Sequence, residues 1–217
     1  MSKYKAIIFD LDGTLLDTLE DIGDSVNAVL RQHGYHEHSY EQYRHIIGNG
    51  ARNLVKSSLP FGLKDDIVDV VLDEYKHCYA KNLMNKTRPY PGITEMLCAL
   101  AALNIKMSVC SNKHNEATTL LVHKLLPEGV FSCIYGERPD VARKPDPAST
   151  LELAANMGIP PRETLYVGDS IVDMQTAQNA GMPSVGVLWG FREKSELIES
   201  GAVFVIDAPC KLLKIIE

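Results

Sequence analysis

The amino-acid sequence predicts an α/β fold: a parallel sheet covered by helices, with an all-α segment inserted near its start. Three observations carry this. Short β-rich apolar runs recur at Ala6–Phe9, Met107–Cys110, Cys133–Tyr135, Leu165–Val167, Val185–Leu188 and Val203–Ile206. Helical periodicity fills most of the intervals between them, as crossovers in a parallel sheet require. From about Asp17 to Met84 the pattern is helical with no strand signal. A length of 217 residues suits one domain carrying a sizeable insertion.

Each element has its own signal. Ala6–Phe9 is apolar without alternation, which reads as a strand buried on both faces. Thr18-x-x-Asp21 reads as a capping box ahead of Ile22, Val26, Val29 and Leu30. Ser39-x-x-Gln42 is a second such box, ahead of Tyr43, Ile46 and Ile47. The turn Gly48-Asn49-Gly50 leads to a short helix around Arg52–Ser58. A fourth helix, from about Lys64, carries Ile67, Val70, Val71, Tyr75 and Cys78. Pro89 and Pro91 stiffen the return. The expected division is a core of residues 1–16 and 86–217 and a four-helix insertion over 17–85. Further on, Ile93, Met96, Leu97 and Leu100 mark one core helix, and Leu120, Leu121 and Leu125 after Asn115 mark another. Asp146-Pro147 reads as the N-cap and first turn of a third.

Composition limits the function. With 22 Lys plus Arg against 28 Asp plus Glu the net charge is -6, so no global basic field invites nucleic acid. A 45% hydrophobic, 23% charged chain is not a disordered, collagenous or coiled-coil protein. Five cysteines, an odd number with no C-x-x-C pair, argue against a disulfide framework or structural zinc. Cys98, Cys110 and Cys133 lie in apolar runs and are expected in the core. No run approaches the roughly 18 apolar residues of a membrane span, and the N-terminal segment meets acid too early for a signal peptide. A cytoplasmic protein with no membrane partner is expected, as a monomer or homodimer.

In an open parallel sheet, ligands bind beyond the carboxyl ends of the strands. Asp10-Leu11-Asp12-Gly13-Thr14 follows the first apolar run, Ser111-Asn112-Lys113 the second, and Gly168-Asp169-Ser170 the fourth, with Asp173 four residues on. A loop past the third run delivers Arg143-Lys144-Pro145-Asp146. Asp10 and Asp12 flank one residue and lie on the same side of an extended chain. Such carboxylates repel unless a proton or cation intervenes. With Asp169 and Asp173 they form an oxygen-rich set suited to a hard cation that also accepts phosphate oxygens, which is the habit of Mg²⁺. A calcium loop is disfavoured, since Leu15 stands where that loop needs glycine. Lys144 is the candidate counter-charge, and Ser111 with following N–H groups can cradle a phosphate if a helix begins there. Trp189, the only tryptophan, reads as packing.

The four motifs D-x-D-G-T, S-N, K-P and G-D-x-x-x-D resemble those of the haloacid dehalogenase (HAD) superfamily of phosphatases. The resemblance covers nearly the whole chain, and the helical insertion is similar to that superfamily's C1-type cap on a Rossmann-like core. Within the superfamily, FDLDGTLLDTLEDIGDSVNAVL, IGNG, GDSIVDMQTAQNAGM and VLWGF most resemble phosphoglycolate phosphatases. The resemblance implies a Mg²⁺-dependent hydrolase of a small phosphorylated metabolite. Asp10 would be the nucleophile and Asp12 the general acid and base. The metal would sit on Asp10, the Asp12 main-chain carbonyl and Asp169. Gly13, Ser111, Asn112 and Lys144 would bind phosphate, and Asp173 would orient Lys144 or a metal-bound water. Arg52, after Gly48-Asn49-Gly50, would meet an anionic substrate tail. Pyrophosphatases and sugar-phosphate phosphatases share much of this pattern. Sugar phosphomutases such as β-phosphoglucomutase carry a histidine where this chain has Ile22. A phosphate-accepting receiver-like module would lack both the insertion and the acid at Asp12.

Overall fold

The computed structural model describes residues 3–216; the outer limits of the expected core, residues 1 and 217, lie outside them. The strands are β1 (Ala6–Phe9), β2 (Leu16–Asp17), β3 (Arg88–Pro89), β4 (Lys106–His114), β5 (Phe131–Glu137), β6 (Thr164–Gly168), β7 (Ser184–Val187) and β8 (Phe204–Ile206). Six of them form one parallel sheet in the order β5-β4-β1-β6-β7-β8. All six predicted strands are in it. The fold is therefore the α/β parallel-sheet class expected.

Period-two alternation explains the layering. Ile7 and Phe9 of β1 and Leu165 and Val167 of β6 belong to one apolar cluster, while Ala6, Ile8 and Tyr166 belong to another. On the first face lie Leu97 and Leu100 of α5 (Ile93–Ala102), Leu121 of α6 (Asn115–Leu125) and Leu212 of α10 (Lys211–Ile216). On the second lie Leu153 and Met157 of α7 (Ala148–Met157) and Ala177 of α8 (Ile171–Ala180). A short helix α9 (Lys194–Glu199) closes the β7–β8 connection.

Four helices, α1 (Leu19–Gln32), α2 (Tyr40–Ile46), α3 (Ala51–Ser58) and α4 (Asp65–Asn82), occupy the stretch read as helical. Val26, Val29 and Leu30 of α1 share one apolar cluster with Tyr43, Val55, Val68 and Val71, and this cluster is continuous with the first sheet face. The Ser39–Gln42 capping box forms as expected. The Thr18–Asp21 box does not. Thr18 makes no capping bond, and the Asp21 carboxylate instead accepts from the backbone N–H groups of Lys86 and Thr87 and from the Thr87 hydroxyl. A tertiary use of the acid has displaced the local one.

Other details also differ from expectation. β2 pairs antiparallel with β3, Leu16 opposite Pro89 and Asp17 opposite Arg88, a strand pair too short to leave a periodic signal. Cys98 faces solvent, Cys133 is half-buried and only Cys110 is buried. α7 starts at Ala148 after Pro147, and Asp146 accepts from the Ala148 N–H from outside the helix rather than capping it. Among the described residues, no helix is long and apolar enough to cross a membrane.

Candidate active site

β1 lies between β4 and β6, so crossovers leave it toward both edges and open a crevice at its carboxyl end. The ladder continues one step past Phe9, where the Asp10 N–H donates to Val167 O at 2.9 Å. This aims Asp10 into the crevice beside the residues that follow β6. Gly13 makes the turn with φ +80°, and a Cβ there would stand 2.2 Å from an Asp169 carboxylate oxygen. Only glycine gives both the conformation and the space. Asp169 accepts from the Phe191 N–H at 2.8 Å and from the Thr14 hydroxyl at 3.3 Å.

Asp173 is the N3 acid of the Ser170 capping box on α8, and Ser170 N–H and Oγ occupy one of its oxygens. Lys144 Nζ donates to the other at 2.8 Å, and Tyr166 Oη also points there at 3.4 Å. The same ammonium lies 2.8 Å from Asp10 Oδ1. Lys144 thus bridges two acids while its side chain is only 4% exposed. Asn112 fixes the backbone beneath it, accepting from Lys144 N–H at 3.0 Å and donating to Lys144 O at 3.1 Å. It also donates to Gly48 O in the α2–α3 turn.

Three buried carboxylates, Asp10, Asp169 and Asp173, bring oxygens within 4.8 Å of one another. Burial, and then the charge of Asp173, push the Asp10 carboxyl from 3.8 up to about 7. Burial, Asp173 and Asp10 push Asp169 the same way. Burial disfavours charge on Lys144, yet Asp10 and Asp173 hold it protonated well above its ordinary value. One ammonium among three acids leaves an uncompensated negative charge, and an all-oxygen donor set of that charge fits a hard divalent cation. Asp173 is the least available of the three for a metal, because one of its oxygens takes two Ser170 donors and the other takes the Lys144 ammonium.

Several sequence-predicted residues stand differently. Gly13 cannot offer its own N–H to a phosphate, because that group donates to Leu16 O at 2.9 Å. Ser111 and Asn112 do not begin a helix: β4 runs on to His114 and α6 starts at Asn115. Ser111 Oγ accepts from the Lys113 N–H, which leaves its proton free to donate. Arg52 is set apart from the acids; its guanidinium pairs with Asp65 and Asp69 on α4. Trp189 is half-buried and donates from Nε1 to Thr14 O.

One residue escaped the sequence reading. Lys113 Nζ contacts both oxygens of Asp12, at 2.9 and 2.8 Å, with 6% of the lysine side chain exposed. The Asp12 carboxylate is thus paired with Lys113 and is not one of the three acids whose oxygens cluster. A lysine after Ser-Asn carries no signal of its own, since its partner lies 101 positions away. Lys113 and Asp12 line a cavity of about 440 Å³ between the strand ends and the helices α1, α3 and α4.

The family profile of haloacid dehalogenase-like hydrolases matches residues 7–187. A phosphoglycolate phosphatase of Agrobacterium fabrum is 34% identical, over 92% of this chain and 87% of that protein. One of Aquifex aeolicus is 30% identical over 98% and 97%. A Lactobacillus delbrueckii subsp. bulgaricus structure, provisionally named phosphoglycolate phosphatase, superposes with a TM-score of 0.94 at 34% identity. It covers 100% of this chain and 99% of its own. The profile match takes in the carboxylates that converge at the sheet edge, and the chain belongs to the haloacid dehalogenase-like hydrolases.

Proposed function

We propose that the protein is a Mg²⁺-dependent phosphatase of a small phosphate monoester of the 2-phosphoglycolate type. The observation that carries this reading is Lys144 bridging Asp10 and Asp173 beside Asp169, all buried beyond the carboxyl edge of the sheet. The curated relatives add weight, being named for that substrate.

Mg²⁺ held by Asp10, the Asp12 main-chain carbonyl and Asp169 would neutralise the acids and the incoming phosphate. Asp10 attacks phosphorus in line as the ester P–O bond breaks, and an aspartyl-phosphate forms. Asp12 gives its proton to the departing alkoxide, then takes one from the water that cleaves the acyl phosphate. Lys144 and the Ser111 hydroxyl donate to the equatorial oxygens as charge builds on them. Asp173, Ser170 and Asn112 position Lys144 for that task. The helices of the 17–85 segment act as a cap over the cavity, and residues 1–16 and 86–217 as the catalytic body. The protein works in the cytoplasm as a monomer or homodimer, without nucleic acid.

The test is phosphate release from an aryl phosphate by purified protein with Mg²⁺ and with chelator. Activity is expected only with the metal; equal rates in both would remove it from the reaction. Asp10→Asn is expected to lose about 10³-fold or more in kcat while keeping its fold by circular dichroism. Full activity in that variant would exclude Asp10 as the nucleophile.

A further inference from the structure

We infer that Lys113 is the residue that selects the substrate's alcohol portion, by receiving a carboxylate carried next to the ester oxygen. This rests on the phosphatase reading above but adds to it, because nothing in the phosphoryl chemistry requires Lys113.

Lys113 sits near the carboxyl end of β4. Its ammonium contacts both Asp12 oxygens and stands 4.8 Å from the centre of the Tyr79 ring. The contact over the ring holds the ammonium at the boundary between Asp12 and α4. An ammonium has three N–H groups and Asp12 engages it at two oxygens, so one donor is left. Asp12 must come within about 2.7 Å of the leaving oxygen to protonate it. A carboxylate separated from that oxygen by one carbon lies about 4 Å further at most. Such a group falls within reach of Lys113 with no movement of the backbone.

A second observation points to the same place. The Tyr79 hydroxyl is buried and has no hydrogen-bond partner, and burial followed by the charge of Asp12 and then of Asp21 resists its ionisation. It remains an O–H donor on the same wall. A buried donor without a partner is costly, and a carboxylate at Lys113 would supply one. Elsewhere the cavity wall is largely apolar, with Ile22, Ile47, Leu54 and Tyr75. The other lysine on it, Lys76, is exposed and turned to Asp73. Arg52, the residue the sequence offered for this role, is engaged by Asp65 and Asp69. Lys113 is thus the buried cation facing the leaving-group side.

The test compares kcat/KM for 2-phosphoglycolate with that for ethyl phosphate, which lacks the carboxylate, in wild type, Lys113→Met, Lys113→Arg and Tyr79→Phe. Loss of one charge-assisted contact should lower the ratio about 10- to 100-fold in Lys113→Met, mostly through KM. Lys113→Arg should restore part of it, and Tyr79→Phe should lower it about fivefold. A Lys113→Met ratio within about twofold of wild type would overturn the inference. Calorimetry on Mg²⁺-loaded Asp10→Asn separates this from failure of the phosphatase reading, because it needs no turnover. There, Lys113→Met should weaken 2-phosphoglycolate far more than ethyl phosphate, and equal weakening would sink the subsite even if the enzyme proves an active phosphatase.

Discussion

Lys144 is the shared counter-ion of two buried acids. Removing it, as in Lys144→Met, leaves Asp10 and Asp173 buried without their shared counter-ion. The expected cost is about 3–5 kcal/mol in urea denaturation of the metal-free protein, and part of it should return on adding Mg²⁺. The acids also set a pH dependence. The Asp10 carboxyl titrates near 3.8 when solvated and at about 7 when folded. Between these values the folded chain keeps a proton that the unfolded chain has released, so stability from this group falls as pH rises. The urea midpoint of the metal-free wild type, taken relative to Asp10→Asn, should therefore decline across that window and flatten above it. A relative midpoint that rises with pH would contradict the assignment.

At the level of elements, capping and tertiary anchoring make separable contributions. Ser39→Ala should cost about 1 kcal/mol by equilibrium urea denaturation, because the N3 N–H of α2 loses its acceptor. Asp21→Ala should cost about 3 kcal/mol in the same measurement, since three donors at Lys86 and Thr87 are left without their acceptor. These two acceptors also show what a sequence can carry. Ser39 and Gln42 satisfy each other within one turn, so their spacing alone announces the box. Thr18 and Asp21 have the same spacing, but Asp21 meets a partner 66 positions away, which no local pattern encodes. The four inner strands were legible because burial on both faces demands unbroken apolar runs. The strand-end acids were legible because ligands bind beyond the carboxyl ends of a parallel sheet, so acids following several apolar runs converge there. The Asp12–Lys113 contact and the removal of Arg52 were not, because both depend on which helix a long side chain meets.

Over the molecule as a whole, Arg192 ties the helical segment to the sheet. Its guanidinium donates to the carbonyls of Arg44, His45 and Ile47 at the end of α2, and Arg44 in turn donates to Gly190 O. Helix-terminal carbonyls have no partner within the helix, so this one side chain satisfies several at once. Arg192→Ala should raise amide exchange at residues 44–50 and leave the sheet strands protected, as read by hydrogen-exchange mass spectrometry. Uniform exchange in the two proteins would show that the tie carries no load. The paired β2 and β3 have a different consequence. Because Leu16–Asp17 and Arg88–Pro89 lie side by side, the chain departs from and rejoins the sheet through a single doorway. The ends are already closed, so lengthening the detour between them adds little entropic cost, and that cost grows only slowly with length. The 70 residues in between could then be exchanged for a foreign helical module, as a transplant that alters what the pocket admits while the carboxylates below stay in register.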